Sequence, residues 1–262
     1  MTRGKPTIRI LRHLARTGGT LITKCLGSMD GVVVLSEIHP ANLAVTNPMM
    51  QACEWFGLID KAQIARWRQM GGPSMLQFVG MCETRAAGRG EALVLRDWSH
   101  LDYYGLPYTK ATMGAGLRES LGDAYEILEA CTTRHPVDQY VSLSGVEVIG
   151  EIDWDLFLDG NLAFARYAVE TGFVRYEDLT SDPDEQLKKL CSMLKMGFDP
   201  QYAQRWSSYE KITGDVARGG SRGTREAVIR PLVRKEVDPD LLARFRDDER
   251  YVETCTLLGY EV

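Results

Sequence analysis

The chain has 262 residues, 44% of them hydrophobic and 26% charged, the composition of an ordinary globular protein rather than a disordered one. Its 31 basic against 36 acidic residues leave a net charge of −5, which argues against nucleic acid as a partner. No apolar run approaches the roughly 20 residues of a membrane span, and MTRGKPTIRIL lacks the pattern of a cleaved leader, so a cytoplasmic protein without a membrane partner is expected.

In chain order, residues 7–15 read as an aliphatic strand that runs into Arg16-Thr17-Gly18-Gly19-Thr20, with 21–29 as the helix after it. Residues 32–35 form a continuous apolar run, the mark of a strand buried on both faces. Residues 47–58, 61–70 and 74–87 each carry apolar residues at helical spacing, and Gly71-Gly72-Pro73 separates the last two. This block, about 41–90, is expected to be a helical insertion shaping the substrate side of a single domain over 1–262. Strands follow at 92–95, ending in RDWSH, and at 125–133, ending in Arg134-His135-Pro136 with a helix over 137–146. The rest reads as a helix over 154–170, a strand over 172–175, a helix over 183–194 capped by Asp182, and a last helix over 239–257.

Strands alternating with helices imply an α/β fold, a parallel central sheet flanked by helices. Ligands of such sheets bind at the carboxyl ends of the strands, where the polar clusters of this sequence fall. Six cysteines without a CxxC pair fit reduced, buried thiols, and four histidines without HExxH spacing give no metal site.

The strand, Arg16–Thr20 and the helix make a P-loop-like phosphate cradle. Its glycines turn backbone N–H groups inward, and the helix adds positive charge at its start. The Gly-Lys-Ser/Thr triplet of ATP- and GTP-binding loops is missing. On its own the loop could be a plain strand-to-helix turn. A second segment, Arg134-His135-Pro136 with Ser142 eight residues after the arginine, and a third, Phe173-Val174-Arg175-Tyr176-Glu177-Asp178-Leu179, follow in order. Arg218-Gly219-Gly220-Ser221-Arg222-Gly223-Thr224 adds a basic, glycine-rich loop. Together these resemble the sulfotransferases that use 3′-phosphoadenosine 5′-phosphosulfate, in their bacterial-type or tyrosylprotein-like branch.

The resemblance implies a role for each matching position. The 5′-phosphosulfate would lie on Arg16, Thr17, Gly18, Gly19, Thr20 and Leu21, with Arg16 stabilising the leaving phosphate. The 3′-phosphate would lie on Arg134 and Ser142, and on Arg222 and Gly223. Tyr176 would sit near the adenine or in the core, while Arg175 and Glu177 read as structural pairing residues. Gly19 departs from the family, which usually has a hydroxyl residue there. No metal is implied, because fixed cations take the place of magnesium. Three residues compete as the base that deprotonates the acceptor: Glu37, which lies 21 residues after Arg16, then His100 in RDWSH, then His39. Each has a bland alternative as a turn cap or loop contact, and Asp97 could simply pair with Arg96. His13 and His135 read as structural. The acceptor would be a small molecule, carbohydrate or peptide bearing a hydroxyl or amine. The competing functions are a P-loop kinase and a non-catalytic binder of adenosine 3′,5′-bisphosphate.

Overall fold

The computed structural model describes residues 4–41, 46–106, 108–144, 152–214, 228–234 and 236–262. Its strands are β1 (Thr7–His13), β2 (Val32–Ile38), β3 (Ala92–Asp97), β4 (Glu126–Thr133) and β5 (Phe173–Arg175). The helices that concern the site and its support are α1 (Gly19–Gly27), α2 (Lys61–Gln69), α3 (Met75–Ala87), α4 (His100–Tyr103), α5 (Gly116–Leu121), α6 (Pro136–Leu143), α7 (Trp154–Thr171), α8 (Tyr176–Ser181), α9 (Pro183–Met193), α10 (Pro239–Arg246) and α11 (Glu249–Leu258).

The strands form one all-parallel sheet in the order β2-β3-β1-β4-β5. Successive residues of a strand point to opposite faces, and here both faces are apolar. Ile8, Ile10, Val33, Leu35, Leu93 and Leu95 join one core, in which Ile64, Trp67, Phe78, Val79 and Cys82 of α2 and α3 cover the sheet. Leu11, Val34, Val94 and Ala130 join another, closed by Ile22, Cys25 and Leu26 of α1 and by Leu187 and Leu190 of α9. The expected parallel sheet wrapped by helices is therefore what the chain adopts. The helices of the 41–90 block form one of its two outer layers. No helix among the described residues is long and apolar enough to cross a membrane.

The strand order places the site. From β1 the chain turns toward β2, and from β4 it turns toward β5 at the other edge. β1 and β4 are neighbours, in register from Thr7↔Glu126 to His13↔Thr132. Connections that part from adjacent strands open a crevice at their carboxyl ends. The loop at 14–18 and the segment starting at Arg134 emerge side by side there.

Three local differences from the expected elements matter. β2 runs on to Ile38 and takes Ser36 and Glu37 into the sheet, with an irregular register between Leu35 and Ile38. The Ser36 N–H and C=O pair with the side-chain amide of Gln51, both at 2.8 Å. Gln51 starts a π-helical turn, Gln51–Trp55, after a single turn at Pro48–Met50, so the regular helix expected over 47–58 is absent. The last expected helix is two, α10 and α11, because the Asp248 carboxylate accepts the Arg250 N–H and restarts the helix.

Candidate active site

The loop after β1 is held in an uncommon shape. Arg16 has φ 69°, and Gly18 has φ 89° as the residue capping α1. Gly18 is required, since a side chain there would meet the ring of Tyr176 as well as the left-handed backbone. The N–H groups of Gly18, Gly19, Thr20 and Leu21 have no acceptor among the described residues. They form a row of donors at a helix start, an arrangement that suits an anion. Thr20 keeps a half-buried hydroxyl beside this row. The Thr17 Oγ1 donates to Leu14 O at 2.8 Å and so fastens the turn.

The second and third segments converge on this loop. Arg16 Nε donates to Ser142 Oγ at 3.0 Å, and an Arg134 guanidinium N–H donates to Arg16 O at 3.1 Å. The Arg134 guanidinium also lies over the Tyr176 ring, 5.0 Å from its centre, so Tyr176 packs between Gly18 and Arg134. The neighbours of Tyr176 are structural. Arg175 makes a forked pair with Asp178 at 2.8 and 2.9 Å. Glu177 accepts from His135 N at 3.0 Å and from the Tyr260 hydroxyl at 2.8 Å. Arg222 and Gly223, with the rest of the basic loop, lie outside the described residues.

The three candidate bases sit across β2, β3 and α4. Glu37 is buried, with φ 55°, inside the irregularity of β2. A bulge of this kind re-aims a side chain, here toward Arg96. Arg96, 3% exposed, donates to four residues from three parts of the chain. It donates to His13 Nε2 at 2.7 Å, to Ser36 Oγ at 2.8 Å, to Thr213 O at 3.3 Å and to Glu37 Oε1 at 3.3 Å. Because His13 Nε2 accepts, Nδ1 carries the ring proton and donates to Leu14 O at 3.0 Å. Burial, and then the Arg96 charge, hold His13 well below the usual histidine range.

His39 is fully engaged. Its Nε2 faces Asp102 Oδ1 at 3.1 Å and its Nδ1 accepts the Ala41 N–H at 3.2 Å. His100 is the opposite case. It is 8% exposed, its Nδ1 has no partner among the described residues, and its ring lies 5.4 Å from that of Trp98. Burial, followed by the charges of Arg96 and His39, pushes it down to about 3, so it is neutral at physiological pH. The Trp98 indole N–H is likewise buried without a partner among the described residues. Asp97 does not pair with Arg96. It accepts from Arg12 at 2.6 Å, and Arg12 also donates to Glu129 at 2.7 Å, an ion cluster buried beneath the site.

From sequence, Arg96 stands out only as a possible partner of Asp97, and His13 only as a structural histidine. The one available signal was position: each is a polar residue near the carboxyl end of its strand, where side chains meet the crevice.

No family model and no curated protein matches the sequence. Solved structures do match. The sulfotransferase domain of the Synechococcus PCC 7002 olefin synthase aligns over 100% of this chain and 98% of its own, with a TM-score of 0.67 at 17% identity. The sulfotransferase domain from the curacin biosynthetic pathway aligns over 98% of this chain and 99% of its own, with a TM-score of 0.63, also at 17% identity. By structure, the chain has the sulfotransferase fold.

Proposed function

We propose that the protein is a sulfotransferase that moves a sulfuryl group from 3′-phosphoadenosine 5′-phosphosulfate to a hydroxyl or amine of a small-molecule, carbohydrate or peptide acceptor. The observation that carries this reading is the junction of Arg16, Ser142 and Arg134 over the start of α1. It sets two arginines, and four N–H groups that have no acceptor among the described residues, around one crevice, a donor set that fits a nucleotide bearing phosphates at two places. The bound donor would supply an activated sulfuryl group on its 5′-phosphate.

In this reading the chain's own residues divide the work. The N–H row and Thr20 hold the 5′-phosphate. Arg16 holds positive charge where negative charge grows on the leaving phosphate, so it acts more strongly on the transition state than on the ground state. Arg134 and Ser142 grip the 3′-phosphate. Glu37 takes the acceptor's proton, and neutral His100 is the second candidate for that role. Tyr176 keeps Gly18 and Arg134 apart at the spacing that both phosphates need.

The test compares ligands by thermal shift. Adenosine 3′,5′-bisphosphate at about 100 times its dissociation constant contributes about 2.7 kcal/mol. Adenosine 5′-phosphate and ATP with magnesium should shift the melting temperature far less. A larger shift with ATP and magnesium would mean a kinase. Glu37→Gln should leave nucleotide binding intact and lower sulfuryl transfer by about 10²–10⁴-fold. Bisphosphate binding with no transfer to any acceptor would mean a non-catalytic binder.

A further inference from the structure

Arg96 makes one more demand on the site than burial alone explains. A guanidinium 3% exposed needs acceptors for its donors, and the fold supplies four from three separate places: His13 on β1, Ser36 and Glu37 on the irregular end of β2, and Thr213 beyond α9. Of these acceptors only Glu37 carries a charge. Three of the contacts are to neutral groups that could hold the guanidinium without help, and they fix its plane from outside the carboxylate. Glu37 meanwhile sits at φ 55°, a backbone conformation that a glutamate adopts only when its surroundings enforce it.

We infer that Arg96 is a positioning residue: locked by His13, Ser36 and Thr213, it fixes the Glu37 carboxylate in the orientation from which that carboxylate takes the acceptor's proton. The inference rests on Glu37 being the base. Arg96 touches Glu37 through Oε1, which leaves Oε2 as the atom to receive the proton. His13 belongs to the device as its anchor. Its neutral form has a single lone pair on Nε2 to offer, and Arg96 takes it. Burial, and after it the same cation, hold the His100 ring neutral.

The experiment measures transfer from labelled donor to the best acceptor in a panel of simple phenols and primary alcohols. Affinity for adenosine 3′,5′-bisphosphate is measured in parallel. Arg96→Gln should lower kcat about 100-fold, within the range expected of a disabled base, while nucleotide affinity stays within about twofold. Arg96→Lys keeps the charge beside Glu37 but not the four-way fork, and should recover at least about tenfold of that loss. If the arginine only filled space, glutamine and lysine would be equally poor. That result overturns the proposal, as does a nucleotide affinity that falls in step with kcat. Should Arg96→Gln fold poorly, Ser36→Ala removes one anchor and no core carbon. A several-fold loss of kcat at unchanged nucleotide affinity then supports the proposal, and an unchanged kcat overturns it. Glu37→Gln is run alongside. Full activity in that variant, or transfer to no member of the panel by the wild type, rejects Glu37 as base or the function itself, separately from anything Arg96 does.

Discussion

Gly19 and His13 compete for the same space. A Cβ placed on Gly19 would stand 2.5 Å from the His13 ring, and that ring is pinned by Leu14 and Arg96. The glycine that departs from the sulfotransferase pattern is thus matched to a histidine beneath it. Restoring a hydroxyl with Gly19→Ser should not tighten phosphate binding. It should destabilise the protein by about 1–3 kcal/mol through overpacking. Thermal melts and calorimetric titration with the bisphosphate test both halves. Tighter binding at unchanged stability would show that the ring yields.

Arg134 reaches the loop and covers Tyr176 from one position. A charge-assisted contact to a phosphate contributes about 1.5–3 kcal/mol, so Arg134→Ala should weaken the bisphosphate about 10- to 100-fold. Adenosine 5′-phosphate, lacking the 3′ group, should lose little. Equal losses for both ligands would move Arg134 to the 5′ side.

Three buried histidines set the acid side of the stability curve. His13, His100 and His135 are all held below the usual histidine range, with burial as the first cause in each, joined by Arg96 for the first two and by Arg234 for His135. The unfolded chain therefore binds protons that the folded chain refuses. Stability is full above about pH 6.5 and falls as the pH drops toward the folded values, by up to about 1.4 kcal/mol per unit for each histidine. Urea melts between pH 4 and pH 7 should show this slope, and His100→Gln should flatten it. A flat profile would mean these rings are protonated in the fold.

Glu129 gives a second, separable acid effect. Burial penalises its charge, but Arg12, the Tyr167 hydroxyl and Arg118 outweigh that and hold the carboxylate below its usual range. A depressed carboxylate contributes stability above its unfolded pKa, and that contribution is lost as the pH falls through the folded value. Glu129→Gln leaves Arg12 with Asp97 alone. It should cost about 3–5 kcal/mol at neutral pH, the usual result of breaking a buried ion pair from one side, and much less in acid. A loss independent of pH would assign Glu129 a packing role instead.

The sheet was legible because its strands are apolar on both faces. VVVL and ALVL could be little else, and the phosphate loop announced itself by a glycine pair between strand and helix. Asp182 capping α9 is a local signal and appears where expected, accepting the Glu185 N–H at 3.2 Å. What escaped depends on distant partners. Arg96 and Asp97 are adjacent in sequence, which suggests a pair, yet consecutive strand residues point to opposite faces. One went to His13 and Glu37, the other to Arg12. The irregular end of β2 needs Gln51, fifteen residues on, and nothing in the local sequence announces that amide.

Arg16 and Glu37, the cation and the carboxylate assigned to the two reactants, are both non-glycine residues with left-handed backbones. Each such residue costs on the order of 1 kcal/mol or more. A programme of thermostabilisation guided by backbone geometry would nominate these two positions for glycine, and under the proposed function the tougher protein so obtained would lose sulfuryl transfer. Durability and turnover are set against each other here at two particular residues.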